Sequence, residues 1–166
     1  MAWPERLVPS SVDGRGVLRA AWWGTGGFTV MAVAITVVGD PLAVPFAVVS
    51  LGLLAVGSGA MLWAFQRALQ RSRHQVIAVG GLYFLAGCAP RSVRFSMMGA
   101  LVVELVVALA TASARPYTAA AFGILVPVYA LGLSGAWGAA HGEFPPRPTD
   151  GRSPPRHDPR RNGDDV

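Results

Sequence analysis

The chain has 166 residues, 52% of them hydrophobic and only 14% charged, whereas a soluble domain carries about 25% charge. Its formal charge of +5 comes from arginine, since there is no lysine, and the arginines flank apolar runs without forming one basic face, which excludes nucleic acid as the expected partner. The single cysteine, Cys88, excludes an internal disulfide, and no Cys/His cluster has zinc-ligand spacing, so no metal and no cofactor are expected.

Taken in chain order, residues 1–19 are polar to mixed and hold Arg6, Arg15 and Arg19. An apolar run over 20–38 follows and stops at Gly39-Asp40-Pro41. About 20 apolar residues match a hydrocarbon core of roughly 30 Å, so this is the first expected span. A signal peptide is the competing reading, since Ala32, Val33 and Ala34 offer a small-residue cleavage site, but the apolar run continues past them to Val38. A tight turn then leads into a second span over 42–65, which ends in a basic run with Arg67, Arg71, Arg73 and His74. The third span, 95–114, is preceded by Arg91 and Arg94 and followed by Arg115 and Pro116; the fourth covers 118–138. Residues 145–166, rich in Pro, Arg, Asp and Gly, have no apolar periodicity to offset chain entropy and are expected to form a disordered tail.

These spans predict an all-α membrane protein, a four-transmembrane-helix bundle over 20–144 with a loop at 66–94. Within that loop Val76 to Ala89 is apolar, yet about 14 residues of helix extend only some 21 Å, too little to cross comfortably. Two local structures are open for it. One is a β-hairpin with strands at 76–79 and 82–85 around Gly80-Gly81, because two glycines supply a tight hairpin turn. The other is a short interfacial helix.

Arginine placement sets the expected orientation. The N-terminal segment, the loop between spans two and three and the tail carry every arginine except Arg115, and short basic loops stay in the cytoplasm. Both termini are therefore expected to be cytoplasmic, in the plasma membrane. Trp22, Trp23, Trp63 and Trp137 fall at the same ends of their spans, where indole rings favour the headgroup layer. Arg67, Arg71, Arg73, Arg91 and Arg94 are expected to contact anionic inner-leaflet headgroups at about 1 kcal/mol each.

Glu104 is the residue with most chemical interest. It lies near the middle of the third span, where a charge costs about 2.5–3.5 kcal/mol on insertion scales, so a neutral carboxyl with hydrogen-bond partners is expected. Helical spacing places Ala100, Glu104, Ala108, Thr111 and Arg115 on one small or polar stripe that should face other helices. The partner expected at this depth is one of three groups, two of them Thr29 of span one and Tyr129 of span four. A third is the carbonyl of Gly123, freed because Pro127 donates no backbone bond. A structural interhelical bond, a proton- or cation-handling carboxylate and a contact to another protein are the three readings of Glu104.

Small-xxx-small spacing at Ala55/Gly59 and Gly132/Ala136 points to close helix packing within the bundle, with a dimer face as the alternative. Gly24-Thr25-Gly26-Gly27 has the composition of a phosphate loop without its preceding strand or Lys-Ser/Thr, so no nucleotide site follows. His141 and Glu143 offer an acid and a base but no nucleophile, so no catalytic residue is assigned.

The stretch from Ala121 through Pro127, Gly132 and Trp137-Gly138-Ala139-Ala140-His141-Gly142 to Arg147, together with Leu82-Tyr83-Phe84-Leu85 and Ala89-Pro90-Arg91-Ser92-Val93-Arg94, resembles uncharacterised small integral membrane proteins of actinobacteria. The resemblance implies a four-span topology and no activity. Small multidrug transporters also have four spans and a membrane glutamate, but theirs is in the first span. The expected function is that of a non-enzymatic accessory or assembly subunit with a membrane-protein partner. The alternative is a small proton-coupled transporter using Glu104, and a lipid-directed enzyme using His141 and Glu143 comes third.

Overall fold

The computed structural model describes residues 14–72, 75 and 77–145. All but Pro145 of the tail expected over 145–166, the first 13 residues, Arg73, His74 and Val76 lie outside the described residues. Among those described, the chain is helical with no strand element. It forms α1 (Gly14–Val38), α2 (Ala43–Arg71), α3 (Val79–Phe84), α4 (Arg91–Ala114) and α5 (Pro127–His141), with 3-10 segments at Asp40–Leu42 and Ala119–Leu125.

Four passages are long and apolar enough to cross a membrane: Gly14–Val38, Asp40–Arg71, Arg91–Ala114 and Ala119–His141. Each of the first three extends beyond its apolar run at the arginine-rich end. The additional residues, such as Gln66 to Arg71 on α2, are mostly good helix formers, so the backbone ladder continues after the hydrocarbon match is complete. The fourth passage is the hub. Half of its most apolar window is buried, against 17–28% in the others, and it touches α1, α2, α3 and α4.

At one end of the bundle Asp40 and Arg115 pair at 3.6 Å, joining the α1–α2 turn to the end of α4. At the other end Arg71 donates from two guanidinium nitrogens to the carbonyls of Ala139 (2.8 Å) and Gly142 (2.9 Å), and from Nε to Gln75 (3.2 Å). Arg71 thereby satisfies carbonyls that the terminus of α5 leaves unpaired, and it places a cation at the negative end of that helix. Its guanidinium donors are therefore engaged within the protein. Arg71→Met is expected to lower stability by about 1–3 kcal/mol, as a charge-assisted bond pair is removed and the two carbonyls are orphaned. Chemical denaturation in detergent measures it, and an unchanged midpoint would show that water replaces the guanidinium without loss.

Among the described residues of the loop after α2, Val79–Phe84 are helical, and Gly80-Gly81 lie inside that helix and not at a hairpin turn. Leu82 and Tyr83 are neighbours yet both buried, which one broad face of a helix allows and a strand with one uncovered face does not. Helix α3 lies across Gly135 and Gly138 of α5, and the Tyr83 hydroxyl donates to the carbonyl of Met61 (3.2 Å). It ends where Leu85 turns left-handed (φ 54°), and the Leu85 side chain is fully buried with Val17, Ala21, Met97 and Trp137. Cys88 follows, its thiol donating to the Gly81 carbonyl (2.9 Å), while the amide of Glu143 donates to the Cys88 carbonyl (3.1 Å). Burial pushes this thiol up from its ordinary value.

Candidate functional site: a sealed carboxyl at a broken helix

The expected fourth span is not one helix. A 3-10 segment at Ala119–Leu125 hands over to α5 at Pro127, and the change of hydrogen-bond pattern falls inside the apolar passage. Proline suits the first turn of a helix, where its missing N–H is not needed. The handover reassigns the backbone groups one by one. The amide of Val126 donates to the Gly123 carbonyl (3.0 Å), and Glu104 bonds to Thr25 and Ala130 instead of to that carbonyl, contrary to expectation. The amide of Tyr129 then donates to the Val126 carbonyl (2.7 Å). The next amide, of Ala130, is 3.4 Å from Oε2 of Glu104 and donates to it.

Glu104 reaches this point from α4, whose buried residues Met97, Ala100, Glu104, Ala108 and Thr111 recur at helical spacing. From α1, Oγ1 of Thr25 lies 2.8 Å from Glu104 Oε1 and also 2.9 Å from the carbonyl of Ala21. A hydroxyl has one proton to donate. Both short contacts are hydrogen bonds when Glu104 is protonated: its O–H donates to Thr25, and the Thr25 hydroxyl donates to Ala21. Oε2 then serves as the carbonyl-type acceptor for Ala130. One carboxyl thus joins α1, α4 and the start of α5, and the residues of this junction are sealed: Glu104 is 0% and Thr25 1% exposed, and Ala130 is fully buried.

The other expected partners lie elsewhere. Thr29, one turn beyond Thr25, bends back to its own helix and donates to the Thr25 carbonyl (2.7 Å). The Tyr129 hydroxyl donates to the Ala20 carbonyl of α1 (2.7 Å). Its ring occupies the space beside Gly24, where an added Cβ would come within 2.6 Å of the ring carbon Cζ. Gly24 therefore belongs to helix packing.

The small-residue motifs need a correction too. Ala55 and Gly59 face outward, and an added Cβ at Gly59 meets nothing. The close approach on α2 is instead at Gly57, midway between them, which meets Gly132 of α5 backbone to backbone. The α5 pair divides differently. Gly132 makes the expected contact, and Ala136, one turn on, is buried as expected of a packing residue. Ala136 does not repeat that contact against Ala55 or Gly59, however, because both of those residues are exposed on the outer face of α2. One glycine from each helix, and not two matched pairs, sets the closest α2–α5 approach. The physical reason is that backbone of one helix can approach the other this closely only where the residue it meets has no Cβ, as at Gly57 beneath Val128 and Tyr129 and at Gly132 beneath the Gly57 carbonyl.

The comparisons with protein-family models, curated proteins and solved structures give no match. Near the arginine-rich end, the His141 ring stacks on Trp137 with centroids 5.3 Å apart, and both His141 and Glu143 are exposed. Of the arginines expected at headgroups, Arg91 and Arg94 are exposed, and Arg67 lies 6.0 Å over the Trp63 ring.

Two features were missed by sequence reasoning. Thr25 shares the inward spacing of Ala21, Phe28, Ala32 and Ile35 on α1, a signal that was present but overlooked. The Ala130 amide carries no side-chain signal, and only the proline three residues earlier marks where helical bonding restarts.

Proposed function

We propose that this chain is a non-enzymatic accessory or assembly subunit of a plasma-membrane complex, a multi-pass protein with both termini cytoplasmic. The observation that carries the reading is the sealed carboxyl. A coupling carboxylate must exchange protons with water, whereas both oxygens of Glu104 are engaged by two neighbouring helices and the side chain has no exposed surface. Such a group holds helices in register, with each interhelical bond worth about 0.6–2 kcal/mol in a membrane.

The orientation is supported by the clustering of Arg15, Arg19, Arg67, Arg71, Arg91 and Arg94 toward one end of the bundle, with Arg115 at the other. The resemblance to small actinobacterial membrane proteins belongs to the same proposal. The competing reading is proton-coupled transport through Glu104.

Purification of the tagged protein from native membranes in mild detergent, with mass spectrometry of what accompanies it, tests the proposal. A membrane protein at near-stoichiometric amount is the expected result. Recovery of this chain alone, with proton uptake into liposomes that Glu104→Gln abolishes, would replace the subunit reading with transport.

A further inference from the structure

Helices α1 and α4 enter the apolar layer side by side, and their borders coincide. The apolar run of α1 begins just after Arg19, and that of α4 just after Arg94. At this level the two helices form a cleft of about 340 Å³ lined by Leu18, Arg19, Trp22, Trp23 and Ser96. Trp22 lies within van der Waals distance of the Cβ position of Gly99 (4.0 Å), and its indole N–H donates to Ser96 Oγ at 2.9 Å.

That bond has a chemical consequence. Ser96 accepts from Trp22 and keeps its own proton to donate. The cleft therefore presents an exposed guanidinium, an oriented hydroxyl and two indole faces, with Trp22 47% and Trp23 80% exposed. Cation and hydroxyl suit a phosphate oxygen, while Leu18 and the rings suit the first methylenes of an acyl chain. A fully apolar occupant would leave Arg19 without a counter-charge, and a soluble anion would leave the indole faces uncovered.

We propose that the α1–α4 cleft binds one anionic phospholipid, its phosphodiester held by Arg19 and Ser96 and its glycerol and upper acyl segment lying on Trp22 and Trp23. The inference assumes that the chain resides in a bilayer, and does not depend on the role of Glu104. Occupancy would tie α1 to α4 at the end opposite the Asp40–Arg115 pair.

Native mass spectrometry of the full-length protein, titrated with phosphatidylglycerol or phosphatidylcholine of the same acyl chains, tests it. One phosphatidylglycerol is expected to be retained in preference to phosphatidylcholine, and inorganic phosphate in excess is expected not to displace it. Arg19→Gln should weaken the first binding step about fivefold, the loss of one arginine–headgroup contact. Ser96→Ala provides a second variant should Arg19→Gln fail to fold, and should also weaken that step. Arg115→Gln, at the opposite end of the bundle and outside the arginines expected at these headgroups, should leave it unchanged. Equal retention of the two lipids, displacement by phosphate, or equal losses in Arg19→Gln and Arg115→Gln would overturn the proposal, because each indicates diffuse or soluble-anion binding.

Discussion

Replacing Gly132 with valine is expected to pull α2 away from α5 and to lower stability by about 3 kcal/mol, the upper end for overpacking a contact that cannot yield. The magnitude follows from what a new Cβ would meet. At Gly132 it would overlap the carbonyl of Gly57, with the carbonyl carbon 2.8 Å away; at Gly57 it would lie 2.5 Å from Cα of Tyr129 and 2.6 Å from the carbonyl oxygen of Val128. These are backbone atoms, so no rotamer change relieves the clash. In lipid the helices gain little from hydrophobic association, and close van der Waals contact has to hold them together. Separating α2 from α5 also disturbs the Arg71 bonds to the end of α5 and the ledge on which α3 rests. Thermal unfolding in detergent, with size-exclusion profiles, measures the effect. Gly59→Ala is the matched control: its Cβ would meet nothing, and alanine favours helix over glycine by about 1 kcal/mol. It is expected to be neutral or slightly stabilising. If Gly132→Val and Gly59→Ala behave alike, the α2–α5 contact is not what holds the bundle.

That contrast shows where sequence reading reaches and where it stops. The four apolar passages were legible because hydrocarbon imposes one solvation rule on every residue of a span, and the rule is written in composition. The inward stripe of α4 was legible because Ala100, Glu104, Ala108 and Thr111 differ in size or polarity from the valines and leucines around them. On α2 the same reasoning chose Ala55 and Gly59 over Gly57, since small residues lie on several faces and spacing alone does not say which face is inward. On α5 it fared better with Gly132 and Ala136, both buried, because every residue from Ser134 to Ala139 is buried and no outward face competes there. The partners of Glu104 were obscured for a different reason. Its donor on the fourth passage is a backbone amide, freed by a switch from 3-10 to α bonding that depends on how the chain packs around Pro127. The loop helix α3 was ambiguous because Gly80-Gly81 suits a turn locally, and only the burial of both Leu82 and Tyr83 against α5 selects the helix.

Glu104→Ala is expected to cost about 3 kcal/mol or more, whereas Glu104→Gln is expected to stay within about 1 kcal/mol of the parent. The alanine variant leaves a cavity in a fully buried position and orphans the Ala130 amide, while Thr25 keeps its bond to the Ala21 carbonyl. An amide held in hydrocarbon without a partner costs several kcal/mol, so the start of α5 should loosen first. Glutamine reproduces each bond of the protonated carboxyl. Its amide NH₂ donates to Thr25, and its carbonyl accepts from Ala130. Glu104→Leu separates the two contributions, because it restores most of the volume but not the acceptor. It should fall between the other two, closer to alanine if the orphaned amide dominates. Unfolding midpoints in a single detergent rank the three variants. A glutamine variant as unstable as alanine would mean that the carboxyl is charged in the folded state, bonded to Thr25 as an acceptor only. A stable glutamine variant that still supports the process this protein serves assigns Glu104 to holding α1, α4 and α5 together, because glutamine preserves the bonds and removes the proton equilibrium.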